Sequence, residues 1–517
     1  QMPSSVNDSQ GNPIDQDSDH GGEWDGNIGG TAGDFQSAPT IANLTMIGDN
    51  EGDHAIKFDD FFAGNVYNAV ITEFADLLTV TDADNALGDS GSFTTSTTDV
   101  PNAGTGTLEG LLFGQFTSVS DVELNLVDVA NGLYDPRPDP ASPVATGATD
   151  MNAIDAWFDT TSYQGAFAPT GNWALGWTGT AQLGHFTNAS DSILSNLTGD
   201  DIDVMQTPSI ATFNATLGVY ELNGSQTWDA GKNYILTHPL FVQSPDVLTI
   251  PAGTTIYNTF NDQGTASKPD DEYGSLVITR GAQIDAQGTA SEPIVLTTIR
   301  ALEAARGTDM DGFDGIGPAP TRGDQGLWGG VVLCGNAKVY NYGGGGLIGE
   351  NAIEGFAPGF SPDGDSDGLP DVIEYGGTND ADSSGTLRYV SIRHGGYEFN
   401  ASGDEVNGLT CGGVGSGTTL EYIEVLSNSD DGIEMFGGTA DIRYALVSFV
   451  KDDGFDLDEG YTGRIQYACV LQMPSSVNDS QGNPIDQDSD HGGEWDGNIG
   501  GTAGDFQSAP TIANLTM

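Results

Sequence analysis

Two neighbouring stretches of the chain, TTLEYIEVLSNSDDGIEMFGG (418–438) and ADIRYALVSFVKDDGFDLDEG (440–460), superpose residue on residue. Tyr422 maps onto Tyr444, and Asp430-Asp431-Gly432 onto Asp452-Asp453-Gly454, each at a shift of 22; Tyr467 continues the first column 23 residues later. A period of this length, holding short apolar-alternating runs separated by Gly and Asp turns, describes one coil of a solenoid. A single coil cannot bury its apolar face. Stacking on the next coil does so, with strands about 4.8 Å apart and paired in parallel. The expectation is one column of Tyr422, Tyr444 and Tyr467, with Ile423, Ala445 and Ala468 or their neighbours stacked inward.

The same punctuation runs upstream. DVLTIPAGTTIYNT (246–259) and GSLVITRGAQIDAQGTASEPIVLTT (274–298) alternate apolar residues and break at AGT, RGA and QGT turns. The 74 glycines serve such turns, and a 37% apolar content suffices for a folded core. Against 14 Lys and Arg stand 75 Asp and Glu, a formal charge of −61. A polyanion of this kind repels nucleic acid and acidic membranes, which excludes both as partners, and suits divalent cations or high salt. No apolar stretch is long enough for a transmembrane helix, and no signal peptide is visible.

The first 46 residues, QMPSSVNDSQGNPIDQDSDHGGEWDGNIGGTAGDFQSAPTIANLTM, recur without change at 472–517. Diverged domains keep core positions and lose loop positions; here both are kept. Either an almost unchanged unit is repeated in tandem or one sequence runs past a junction between identical copies, and on both readings Leu471 is expected to be followed naturally by Gln1.

YELNGSQTWDAGKNYILTHPLFVQSPDVLTIPAGTTI (220–256) resembles the N-terminal capping region of large secreted bacterial right-handed parallel β-helix proteins. GLWGGVVLCGNA, SGTLRYVSIRHGGYEFN and NGLTCGGVGSGTTLEYIEV are similar to their successive coils, HAIKFDDFFAGNVYNAVITEF (54–74) to a later coil, and 138–178, ending NWALGWT, to their C-terminal end. The resemblance implies an all-β fold, a right-handed parallel β-helix (β-solenoid) with long inserted loops, and a location outside a bacterial cell or on its surface. It lends no reaction. The family order is circularly shifted here. Residues 219–471 would carry the N-terminal cap and main coils, 472–517 would continue them, and 1–130 would supply the C-terminal coils. Residues 131–185 would form the C-terminal end, and 186–218 a joint between units.

Two acidic patterns carry candidate chemistry. In DGDSDGLPDVIE, Asp363, Asp365, Asp367, Asp371 and Glu374 stand at positions 1, 3, 5, 9 and 12 of a calcium loop, with Gly368 at 6 and the Leu369 carbonyl at 7. Pro370 and the lack of flanking helices make it a stand-alone loop, and a solvated acidic insertion is the alternative. The second pattern is a ladder. Asp430, Asp452 and Asp19 form one column, Asp431, Asp453 and His20 another, and Glu434, Asp456 and Glu23 a third. Stacked carboxylates repel by about 1 kcal/mol per pair even in a solvent-like dielectric. They persist as solvated turn residues, by binding Ca2+, or by sharing protons, as Asp452 and Asp453 would in an acid–base pair on a polysaccharide.

Cys334, Cys411 and Cys469 fit no zinc spacing and read as buried thiols. Cys334 and Cys411 both look inward-facing, which admits a disulfide between coils. The expected function is a calcium-stabilised extracellular structural protein, a filament, sheath or surface-layer subunit meeting copies of itself end to end. The alternative is a polysaccharide-active enzyme or glycan-binding adhesin.

Overall fold

A computed structural model describes residues 133–186, 200–261, 272–312, 315–341, 347–354, 356, 371–397, 405–473, 477–485, 491–495 and 508–516, with strand segments between Val6 and Ser118 and the residue Asn68. The chain winds as a parallel β-helix whose coils contribute to three columns of strands. The first column runs through Pro239–Val242, Ser275–Ile278, Val331–Cys334, Leu409–Gly412, Ile433–Phe436, Phe455–Asp458 and Glu494–Trp495. The second and third begin as separate strands, Val247–Pro251 and Thr255–Asn258, joined by a turn in which Gly253 has φ +76°. From Gly385 onward the two fuse into one strand per coil: Gly385–Arg393, Thr419–Leu426, Asp441–Ser448 and Arg464–Leu471.

A tyrosine bends each fused strand. Tyr389, Tyr422, Tyr444 and Tyr467 have φ of +49°, +56°, +59° and +62°. A left-handed residue turns the strand from one face to the next, and stacking offsets its strain. Their rings lie 4.2, 4.3 and 4.5 Å apart and nearly parallel. The expected column is present and begins one coil earlier than the repeat indicated. Beside it, Ile423, Ala445 and Ala468 pair in register and are wholly buried. In the first column the alternation sends Leu409 and Cys411, Ile433 and Met435, and Phe455 and Leu457 into the core.

Residues 133–186 carry almost no regular strand and lie along the flank of the fused strands. Trp177 meets Tyr389 and Tyr422 edge-on at 5.6 and 6.2 Å, and Trp173 meets Tyr444 at 5.6 Å. The guanidinium groups of Arg443 and Arg464 lie 4.2 and 4.8 Å from the Trp157 ring centre. The buried Glu424 carboxylate accepts from the Gly179 and Thr180 amides at 2.6 and 2.8 Å and from the Thr180 hydroxyl at 2.8 Å.

Of the stretch 186–218, Asp200–Asp203 pairs in parallel with Lys232–Leu236, and Ala211–Asn214 closes the start of the first column as an antiparallel strand. At the other side of the solenoid, Thr511–Thr516 stacks on Arg464–Leu471, so the second copy of the 46-residue segment follows the coil that ends at Leu471. The first copy stacks on the second with each residue opposite its duplicate: Glu23 on Glu494, Trp24 on Trp495, Thr40 on Thr511. Later strands, His54–Asp59 and Asp76–Val80 among them, extend the same columns. No helix among the described residues is long and apolar enough to cross a membrane.

The disulfide expectation is corrected. Register places Leu333, not Cys334, opposite Cys411. Cys411 points into the solenoid core while Cys334 points out into a second apolar cluster, and all three cysteines are free and buried. Adjacent positions on a strand face opposite ways, so the two thiols belong to different sides of one sheet.

Candidate acidic cleft

The outer face of the first column changes character along the solenoid. In its early coils Phe241, Val277, Val332 and Cys334 face outward and are covered by inserted residues that include Val339, Ile353, Phe356, Ile373 and Tyr375. The insert carries an antiparallel pair, Glu350–Ala352 with Glu374–Gly376, fastened by Arg280 to Glu350 and, at 2.7 Å, to Glu374. Two coils further the outward residues become Glu434 and Phe436, then Asp456 and Asp458, then Glu494. Between this acidic face and the described residues of the insert lies a cleft of about 630 Å³.

Among the described residues, fourteen line the cleft; ten of these are Asp or Glu and none is Lys or Arg. Asp430, Asp431, Asp452 and Asp453 come from the turns that enter the strands; Glu434, Asp456, Asp458 and Glu494 from the strands; Asn351, Glu354 and Tyr375 from the insert. Three sets bring one ligand atom per residue within 4.8 Å of one another: Asp430–Asp431–Asp452, Asp431–Glu434–Asp456 and Asp453–His491–Glu494. Asp431 accepts the Asp453 amide at 2.9 Å and Asp453 accepts the His491 amide at 2.7 Å, so each turn fastens to the next.

Burial, then the charge of Asp430, Asp456, Asp453 and Asp452, pushes the Asp431 carboxyl well above its ordinary range. Burial, then Glu354, Asp456, Asp431 and Asp430, does the same for Glu434, which accepts a hydrogen bond from the Asn407 amide. Burial and the neighbouring negative charge thus favour the neutral form at Asp431 and Glu434, which eases the repulsion among carboxyls packed so closely.

Glu459 belongs to the same site. Corner positions after the first-column strands are Gly413 (φ +57°) and Gly437 (φ +63°), but the next coil places Glu459 there at φ +50°. A Cβ disfavours this conformation, and such residues cluster where geometry serves function. Its carboxyl accepts from the Tyr375 hydroxyl and the Asn351 amide, both at 2.9 Å, which ties the insert to the coil. Burial and the adjacent Asp458 raise it to about 8.

The two sequence patterns fare differently. Of the ladder, Asp430, Asp431, Glu434, Asp452, Asp453 and Asp456 converge on the cleft. The third coil is corrected: His491 and Glu494 of the second copy stand beside Asp453 and Asp456, and Glu23 follows one coil further, opposite Glu494. Asp19 and His20 lie outside the described residues, as do Asp363, Asp365, Asp367 and Leu369 of the calcium loop. Asp371 is exposed; Glu374 is buried and paired with Arg280. The repeat reading missed Glu459, Tyr375, Asn351 and Glu354. A signal for Glu459 was present, since FGG in one coil aligns with DEG in the next. The three insert residues lie outside the repeat and had none.

No curated protein and no solved structure showed significant similarity to the chain. A family model does match, the pectate-lyase-like β-helix domain, over residues 218–517. That span takes in the cap, the coils with the tyrosine column, the insert and the acidic cleft. With its stacked parallel coils and this match over more than half its length, the chain belongs to the pectate-lyase-like β-helix family.

Proposed function

We propose that this β-helix is a polysaccharide-active protein, working outside the cell, that lays a glycan strand in the acidic cleft. The observation that carries the reading is the cleft itself, walled by the insert on one side and by carboxyls repeated at coil spacing on the other. A repeating wall suits a repeating ligand, and the family's name associates this fold with a polysaccharide lyase. Because no Lys or Arg lines the cleft, the cationic base of an elimination is missing from the described wall. Carboxyl pairs offer hydrolysis instead. Glu459, protonated up to about 8, can donate to a leaving oxygen while a neighbouring carboxylate acts as base or nucleophile. Asp431, Glu434 and Asp456, which each bring one oxygen within 4.8 Å of the others, line the same cleft as candidates for that second role.

Calcium belongs to the proposal as the hard cation that the donor sets in the cleft and the loop 363–374 suit. In the loop, Glu374 would have to leave Arg280 to ligate it. The test is a panel of neutral glucans, glucosamine oligomers and polygalacturonate, with calcium and with chelator, read by binding and by new reducing ends. Failure to bind any of them overturns the reading.

A second reading, end-to-end assembly of copies in a filament or sheath, is favoured by one observation. The 46-residue segment stacks on its own duplicate in register. Sedimentation showing only monomers at high concentration would end it.

A further inference from the structure

We propose that the seam between residues 179–182 and the coil strand Gly385–Arg393 binds a small halide, chloride in the first place, held by Arg393 and Gln182. The proposal stands apart from the acidic cleft and from the glycan reading. Arg393 ends its strand beneath the flank and is 7% exposed. Its guanidinium packs so closely on Gly179 that a Cβ at that position would lie 2.7 Å from Nε. A guanidinium carries five N–H donors and keeps its charge inside proteins. Nε donates to the Ser391 hydroxyl at 2.7 Å, and Nη1 to the Gln182 side-chain oxygen at 2.9 Å. Nη2 is wholly buried and meets no acceptor among the described residues.

The neighbouring carboxylate does not serve Nη2. Glu424 stands 4.0 Å from Nε, and its oxygens are already taken. The Gly179 amide, the Thr180 amide and hydroxyl, and the Ser391 hydroxyl all donate to it, which fills the roughly four lone-pair sites of a carboxylate. Gln182 adds to the surplus of donors. Because Arg393 can only donate, the Gln182 amide must turn its oxygen toward the guanidinium. Its Nε2 is then a second buried donor with no acceptor among the described residues. Two such donors on adjoining groups, one of them charged, call for an acceptor that the chain does not supply, since leaving them unmet costs free energy. A water brings as many donors as acceptors and so renews part of the deficit it fills. A halide only accepts, and its charge strengthens the bond from the guanidinium. The close approach of Gly179 leaves the seam to a small ion, which would fasten the flank to the coils beside the Glu424 contact.

The test compares the full chain in sodium chloride and in sodium gluconate at equal concentration. Both salts screen the formal charge of −61 alike, and gluconate is too large for the seam. With chloride at about ten times its dissociation constant, hydrogen exchange of the Gly179–Gln182 amides should slow about ten-fold, and the melting temperature should rise. Gln182→Glu keeps one oxygen for Nη1 and offers another to Nη2. It should fold, melt in gluconate at least as high as the native chain, and lose the chloride effect. Gln481→Glu makes the same charge change at an exposed turn and should keep the effect. Equal behaviour of the native chain in the two salts would overturn the proposal and leave a trapped water as the acceptor. A chloride effect that survives Gln182→Glu would put the ion elsewhere and overturn it as well, as would failure of that variant to fold.

Discussion

The early and late coils of the first column share one inner face and differ completely on the outer one. Inside, Val331 and Leu333 stack beneath Leu409 and Cys411, then Ile433 and Met435, then Phe455 and Leu457, without interruption. Outside, Val332 and Cys334 lie under an apolar insert, whereas Glu434, Asp456 and Asp458 border an acidic cleft. Because alternate residues of a strand face opposite ways, one sequence writes both messages at once. The inner set specifies the solenoid, and the outer set is released for covering or for binding.

Experiments can break or sharpen this division. The largest effect is expected on the flank, where Glu424→Ala strips the Gly179 and Thr180 amides and Arg393 of a fully buried carboxylate. The expected cost is about 3–5 kcal/mol, with faster hydrogen exchange in 133–186. Next comes the inner–outer pair. Ile433→Ala should cost about 2–5 kcal/mol in denaturant unfolding, while Glu434→Gln, one residue away, should leave stability nearly unchanged, because burial already favours the neutral carboxyl that Gln imitates. Comparable losses at both positions would break the comparison.

The third test is pH. Glu459 binds its proton more tightly folded than unfolded, so its contribution is complete below the ordinary value of 4.5 and is lost as pH rises toward about 8. Melting temperature should therefore fall across that window, and Glu459→Gln should flatten the fall. A smaller effect follows from ligand: a bound glycan or calcium present at about 100 times its dissociation constant should add about 2.7 kcal/mol by mass action. The smallest is none at all. Reductant should leave the melting temperature unchanged, since Cys334 and Cys411 are free.

The division also explains what could be read from the sequence. The tyrosine column, the inward stack at Ile423, Ala445 and Ala468, and the convergence of Asp430, Asp431, Glu434, Asp452, Asp453 and Asp456 all follow from the repeat, because a repeat fixes register and register fixes proximity. The orientation of Cys334 was misread because residues on both faces of its strand are apolar, which erases the alternation that assigns sides. Tyr375, Asn351 and Glu354 reach the cleft from an insert whose path no periodicity specifies. The packing of 133–186 along the flank depends on contacts such as Gly179 with Glu424, 245 residues apart, which local pattern cannot register.

The central claim is that the open acidic face, and not the covered one, is where this protein meets its ligand. Hydrogen exchange of the full chain with and without each glycan of the panel tests it most directly. The account predicts new protection confined to Ile433–Phe436, Phe455–Asp458 and the insert strand Glu350–Ala352. Protection centred on the apolar coils or the 133–186 flank, with the cleft strands unchanged, would contradict it.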